Sequence, residues 1–326
     1  MTKILRSELV IFGNEFHSLT GHYRSIVRYE EFMRRTRPEL VIRRFGLLEW
    51  KAWIAIPYSL LFARRILING LGSFRYSRTF VLAFLCRGVI IYFHETAFVV
   101  DRFSESHRHK MAALRWVLRH RKVLCVSEQQ RKYLEDTFGT KEAVVVYENV
   151  PAVERTEVPA TGRPLILMVG SIQERKGVTL FSQVADMASA EGLDWEFCWI
   201  GRGSSVGLYQ SPSVTWAGVR TGPELVASLR RAAAFFLPSV DDPFPLSCLE
   251  ALREFTRCVV YRRVGTSEIL DGLLGCAVYD EYTAESALQA LRRALTQELD
   301  RAAVSRINRT VASVEAFSER LQKALA

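Results

Sequence analysis

Short apolar runs alternate with amphipathic stretches along this chain, and after one break the alternation starts again. No other feature constrains the fold as much. In the first half ELVIFG (8–13), ELVIRRF (39–45), RILING (65–70), VIIYFHE (89–95), KVLCVS (122–127) and AVVVYENV (143–150) read as strands. Helical patterns over 22–36, 76–87, 106–121 and 128–137 lie between them. Strands alternating with helices imply βαβ units on a parallel sheet. Residues 151–163, PAVERTEVPATGR, have no apolar periodicity and two prolines, and read as a linker. The strands then resume with LILMVG (165–170), WEFCWIG (195–201), VTWAGV (214–219), AFFLPS (234–239), CVVYRR (258–263) and CAVYD (276–280). Helices are expected near 177–191, 223–233, 246–254, 266–273 and 283–296, with a closing helix from 311 to 325.

The expected fold class is therefore α/β, two Rossmann-like lobes facing across a cleft. Residues 1–157 form the first lobe, and residues 158–326 form the second together with the closing helix. A length of 326 residues suits two medium domains. Ligands of such sheets bind beyond the carboxyl ends of the strands, so functional residues should fall just after strands.

Composition narrows the class. Cys86, Cys125, Cys198, Cys248, Cys258 and Cys276 form no CxxC pair and sit mostly in apolar stretches, as reduced thiols of a cytoplasmic protein do. The six histidines show no helical pair at metal spacing, and no metal site is expected. The apolar stretches near 52–72 and 80–93 are interrupted by Pro57, Arg64, Arg65 and Arg87, short of the ~18 residues a membrane span needs. The net charge of +9 is uneven. Residues 1–157 hold 26 Lys and Arg against 16 Asp and Glu, while residues 158–326 hold 18 against 19. The first half carries the whole excess, so its partner is anionic.

Three strand ends in the second half carry the chemistry. After LILMVG comes SIQERKG, where Arg175, Lys176 and Gly177 open a helix. Two cations and helix-start amides suit a diphosphate, although a solvated basic loop has the same composition. After WEFCWIG comes RGSS, either a close approach to a ligand or a tight turn. After AFFLPS comes VDDPFPLSCLEAL, with Asp242 in a turn and Glu250 on a helix, seven residues lying between them. Glu250 can accept hydrogen bonds from two vicinal hydroxyls, as in a ribose, or can be an ordinary capping or salt-bridged acid.

Together these elements resemble the donor-binding lobe of GT-B glycosyltransferases, specifically the large retaining family 4 (glycosyl transferases group 1). The family's pattern appears here as Gly170-Ser171 with Arg175-Lys176-Gly177, then Ile200-Gly201-Arg202-Gly203, Leu237-Pro238-Ser239 and Asp242…Glu250. VGTSEIL (264–270) falls where the family places its GG-x-x-E loop. The resemblance covers most of 143–280 and is thinner in the first lobe, where it rests on His94, on VLCVSEQQRKYL (123–134) and on VYENVP (146–151). Ser171 stands where the family usually has arginine, and Asp242 where its first glutamate lies, which puts the donor and the activity of the site in question.

The resemblance implies transfer of a sugar from a nucleoside-diphosphate sugar, with retention, to a glycan or polyprenyl-diphosphate-linked acceptor in cell-surface polysaccharide synthesis. It implies that Glu250 grips the ribose, that Asp242 faces the donor sugar or its phosphate, and that Leu246 and Ser247 begin a helix whose amides meet the β-phosphate. Gly170, Ser171 and Gly201 would line the donor. Arg175 and Lys176 would stabilise the leaving phosphate without a metal or other cofactor. His94 would contact the donor sugar, with a core histidine as the alternative; Glu95 is its orienting partner or only a strand-end acid. Gly21, after the loop NEFHSLT, would lie on the acceptor side.

The basic lobe fits an anionic membrane surface, which implies a peripheral position on the cytoplasmic face. Arg24, Arg28 and Arg35 share one side of helix 22–36, and Arg108, Arg115 and Arg119 share one side of helix 106–121. A solvated face is the plain alternative. No nucleic-acid partner is expected, because these helices lack interleaved exposed aromatics. The rival readings are a GT-B module that binds a nucleotide sugar without turnover and, at a distance, a nucleotide-sugar 2-epimerase.

Overall fold

The structure, a computed structural model, describes residues 7–13, 21–46, 56–59, 61, 63–75, 77–86, 88–151, 162–204 and 206–326. Most of the expected linker and the loop 14–20 lie outside the described residues. The chain divides into two compact units, one of Met1–Asn149 with Val314–Ala326 and one of Val150–Ser313.

In the first unit β1 (Ser7–Gly13), β2 (Ile42–Gly46), β3 (Ala63–Asn69), β4 (Val89–Tyr92), β5 (Lys122–Cys125) and β6 (Ala143–Val145) pair in the order β2-β1-β3-β4-β5-β6, all parallel. In the second, β7 (Leu165–Val169), β8 (Glu196–Ile200), β9 (Val214–Trp216), β10 (Ala234–Leu237), β11 (Arg257–Tyr261) and β12 (Ala277–Tyr279) pair in the order β12-β11-β10-β7-β8-β9, again all parallel. Central strands such as β4 and β10 are buried at every residue, as a parallel sheet covered on both faces requires. The strand order reverses between β1 and β3 in one unit and between β7 and β10 in the other. At such a reversal the two crossovers leave in opposite directions and open a crevice at the strand ends.

The core of the second unit is built around Phe181, on helix Val178–Ala190. Its ring meets Phe197 edge-on at 5.6 Å, Trp199 edge-on at 5.3 Å and Phe236 in a stack at 5.6 Å. One side chain thus ties this helix to β8 and β10, and holds its first residues over the reversal.

The helices differ from the expected ones in two regions. The stretch 106–121 is not one helix. Helix Ala97–Ser106, unexpected from sequence, is capped by Thr96, whose hydroxyl accepts from the Val99 N–H at 3.2 Å. It stops where the His107 ring stacks on Phe103 at 4.7 Å. A short turn Arg108–Lys110 follows, and helix Met111–His120 starts anew. Arg108 is therefore off the helix that carries Arg115 and Arg119. Near the end of the chain, Arg301–Thr310 and Val314–Leu325 are separate helices. The last of these belongs with the first unit, not with the second lobe as expected. Its Phe317 packs edge-on to Tyr29 of helix Gly21–Thr36. Arg65 donates to the carbonyls of Leu325 and Ala326 at 2.8 and 2.7 Å, and Lys122 to that of Ala324 at 2.9 Å. The carbonyls left open at a helix end attract cations, and the basic first unit supplies them.

Candidate functional site

The strand-end loops of the second unit converge at its reversal. The loop after β7 leads to Gly177, in the left-handed region at φ 76°. A Cβ there would lie 2.0 Å from the Pro238 carbonyl oxygen, at the end of β10, so only glycine lets the two loops approach. The Tyr282 hydroxyl donates to the same oxygen at 2.6 Å, and the Val240 N–H donates to the Arg175 carbonyl at 3.0 Å. Lys176 and Asp242 form an ion pair, their side chains only 13% and 10% exposed. Asp242 is held in turn by the loop after β11, since its carbonyl accepts from the Gly265 N–H at 2.8 Å. Gly201 serves a similar end, because a Cβ there would stand 1.8 Å from the Gly170 carbonyl oxygen. That oxygen accepts from the Trp199 indole at 2.9 Å, while the Gly170 N–H donates to Ile200 at 3.0 Å.

Gly170, Gly201, Arg175, Lys176 and Asp242 are thus brought into one set of interlocked loops, and Ser171 lies half-buried within it. Helix Leu246–Arg253 begins nearby in sequence, after Pro245, and no side chain caps its start. The Cys248 N–H turns back to the Pro245 carbonyl at 3.2 Å, which leaves the Leu246 and Ser247 amides for an anion. Leu246, Ser247 and Glu250 occupy its half-buried side, while Cys248, Leu249, Ala251 and Leu252 face the core. Just past this helix the Glu254 side chain is 3% exposed and paired with Arg230 and Arg253 at 2.7 and 2.8 Å. Two further groups lie inside motifs quoted from the sequence but were not singled out as candidates. The hydroxyls of Ser239 and Thr266, following β10 and β11, are fully buried without a protein partner. A bound ligand is one way to satisfy such groups.

In the first unit His94 and Glu95 follow β4, beside the reversal at β1 and β3. The His94 side chain is 8% exposed and lies edge-on to Tyr92 at 5.8 Å. It packs over Gly70, at the end of β3, where a Cβ would come within 3.0 Å of its ring. The Glu95 carboxylate accepts from the Leu71 N–H and, at 3.1 Å, from the His94 N–H. Its distance to the His94 Nδ1 is 3.8 Å, beyond a hydrogen bond. Glu95 therefore ties the ends of β3 and β4 together. Gly21 is the first residue of helix Gly21–Thr36.

Burial lowers the His94 pKa from 6.5 to about 3 and raises that of Glu148, bonded to the Tyr92 hydroxyl at 3.1 Å, from 4.5 to about 6. The two act on stability with opposite signs. Between pH 6.5 and 3 the unfolded chain protonates His94 and the folded chain does not, so stability falls with acid by about 1.4 kcal/mol per pH unit. Glu148 contributes stability below pH 4.5 that is lost as pH rises through 6. The two slopes offset between pH 6 and 4.5, and below pH 4.5 His94 acts alone. Urea unfolding from pH 7 to 3.5 should therefore show His94→Gln less acid-sensitive than the parent. Parallel curves for the two proteins would mean that the ring is solvated.

The basic stripes are only partly as expected. Arg24, Arg35, Arg108, Arg115 and Arg119 are exposed. Arg28 is turned inward, its guanidinium donating to Asn149 and Ser25. The expected lack of exposed aromatics also fails, since Trp116 stands 40% exposed beside Arg115. The cysteines are free thiols, all but Cys86 buried. Among the described residues no group of acids, histidines and cysteines has a metal-binding arrangement, and no helix is long and apolar enough to cross a membrane.

Two parallel six-stranded sheets, the second with its loops gathered at the strand reversal, make up the GT-B fold. Residues 163–297, within the second unit, match the family model Glycosyl transferases group 1. The chain is similar in structure to sucrose-phosphate synthase from Thermosynechococcus elongatus, at 15% identity and TM-score 0.72 over 98% of both chains. It is also similar to the Anabaena protein HepE in complex with UDP-glucose, at 10% identity and TM-score 0.73 over 98% of this chain and 99% of that one. WaaG, a glycosyltransferase involved in lipopolysaccharide biosynthesis, aligns at 13% identity and TM-score 0.67 over 97% and 98%. Among curated proteins no sequence matches significantly.

Proposed function

We propose that this protein transfers a glycosyl group from a nucleoside-diphosphate sugar to a glycan or polyprenyl-diphosphate-linked acceptor. The reading extends to retention of configuration, independence of divalent metals and a role in cell-surface polysaccharide synthesis at the cytoplasmic face of the membrane. The observation that carries it is the buried Lys176–Asp242 pair, set among loops locked by Gly177 and Gly201 at the reversal of the second sheet. The UDP-glucose bound to HepE supports a nucleotide sugar as the donor.

In this scheme the diphosphate takes the amides at the start of helix Leu246–Arg253, with Arg175 and Lys176 sharing the charge that grows on the leaving phosphate. Gly170, Ser171 and Gly201 bring backbone close to the donor. His94 stays neutral at physiological pH, so it acts as a hydrogen-bonding group and not as a cation. A chelator should leave turnover intact, since side-chain cations and amides replace a metal. Loss of activity in EDTA that returns with a divalent ion would refute metal independence.

Glu250 is assigned to the ribose hydroxyls. Hydrogen bonds to a charged group contribute about 1.5–3 kcal/mol, so Glu250→Gln should weaken donor binding about ten- to a hundredfold. The helix itself should persist, glutamine being a good helix former. Thermal shift with UDP-, GDP- and ADP-sugars reads both quantities and identifies the base, because bound donor raises the melting point by mass action. Normal donor binding with a much lower melting point would make the carboxylate a packing element. One observation favours a second reading, binding without turnover: Asp242 already neutralises Lys176. Release of sugar from bound donor, with or without acceptor, separates the two.

A further inference from the structure

Helices Ser77–Leu85 and Met111–His120 of the first unit pack side by side and leave an apolar patch on the surface. Leu85 is 68% exposed, Val81 48%, Phe84 42% and Trp116 40%. The patch is continuous, since the Phe84 and Trp116 rings lie 4.8 Å apart and the Trp116 ring stacks on His120 at 4.6 Å. It is also rigid. Arg121 sits 5.5 Å over the Trp116 ring and donates to the carbonyls of Ala83 and Phe84 at 2.7 and 3.1 Å. That guanidinium closes the open end of one helix and clamps it to the other.

The inner side of helix Met111–His120 is satisfied by Leu114, Val117 and Leu118, which are fully buried. Trp116 is thus not needed for the core, and it projects on the flank between the core and the outer cations Arg115 and Arg119. Contiguous exposed apolar side chains bordered by polar ones mark an interaction site in a soluble protein. Here the border is cationic, in a half of the chain that carries 26 Lys and Arg against 16 Asp and Glu.

We infer that this patch seats on an anionic lipid bilayer, with Leu85, Phe84 and Trp116 entering the headgroup boundary while Arg115 and Arg119 meet lipid phosphates. The complement to the cations is anionic, and Leu85 and Val81, the most exposed of the four apolar side chains, offer aliphatic surface suited to lipid, so the Phe84 and Trp116 rings are tested against DNA below. Tryptophan at the boundary between apolar chains and headgroups is a general preference of such interfaces. The inference deepens the membrane-facing part of the proposed function, and it stands or falls separately from sugar transfer.

The full chain, Leu85→Ser/Trp116→Ser and Arg115→Ser/Arg119→Ser should each be floated with vesicles of phosphatidylcholine alone and with 30% phosphatidylglycerol. The parent protein is expected on the anionic vesicles only. Each double variant should partition on the order of tenfold less. Raised salt should weaken the parent and the apolar variant, because both retain the cations. Melting points and the thermal response to nucleotide sugars should stay unchanged in both variants, so failure of donor binding would leave this result readable. The inference is overturned if Leu85→Ser/Trp116→Ser floats like the parent, or if the parent ignores anionic vesicles. It is equally overturned if sedimentation shows the patch pairing two copies of the chain, or if single-stranded DNA is bound in place of vesicles.

Discussion

Lys176→Met is expected to lower sugar transfer by about two to three orders of magnitude, the cost of removing one charge aimed at a developing anion. It should also destabilise the second unit, because it leaves the Asp242 carboxylate, 10% exposed, without its cation. Breaking a buried pair by removing one partner costs about 3 kcal/mol or more, whereas removing both partners is often close to neutral. Lys176→Met/Asp242→Asn should therefore recover much of the melting temperature and none of the turnover. Stability and rate recovering together in the double variant would make the pair a structural clasp, and the leaving phosphate would need another cation.

The second large effect is structural. Gly177 and Gly272 both adopt left-handed backbone, at φ 76° and 75°. A Cβ on Gly272 would meet nothing within 4 Å, while one on Gly177 would meet the Pro238 carbonyl oxygen at 2.0 Å and its carbon at 2.6 Å. Gly272→Ala should cost only the backbone term, about 1–2 kcal/mol. Gly177→Ala adds forced separation of the loops after β7 and β10, a further ~1–3 kcal/mol. It should also weaken donor binding, since Arg175 and Lys176 move with the loop. Urea denaturation of the two variants, with thermal shift by nucleotide sugar, tests this. Equal losses in the pair would show that the close approach at Pro238 is not what Gly177 is for.

Gly177 and Gly201 illustrate how far a motif can be read along the chain. Their positions after strands were legible, and the donor-lobe resemblance rested on them. Their physical task was not: each makes room for the backbone of another loop, so their contribution to a ligand site is through the loops they lock. Asp242 and Glu250 differ in a similar way. Both were candidate donor contacts, yet one is committed to Lys176 while the other sits half-buried on its helix. The acid enclosed by two arginines is Glu254, which no spacing distinguished from its neighbours. In the first unit, Glu95 could be an orienting partner or a strand-end acid from sequence; its bonds to the Leu71 and His94 amides add a tie between two strand ends that no spacing announced.

The sequence by itself determined two parallel α/β sheets and the strands that make them, and it pointed to the loops after β7, β8 and β10 for chemistry. Apolar period, glycine and proline act over a few residues, so they can be read without knowing what packs where. Only the tertiary structure decided that the closing helix joins the first unit, that Arg28 turns inward and Arg108 leaves its helix, and that Trp116 stands outside. All but the break before Arg108, where His107 stacks on nearby Phe103, depend on a partner distant in the chain, such as the carbonyls that Arg65 and Lys122 cap, the Asn149 side chain or the helix Ser77–Leu85. A long side chain takes its direction from that partner and not from its neighbours in sequence.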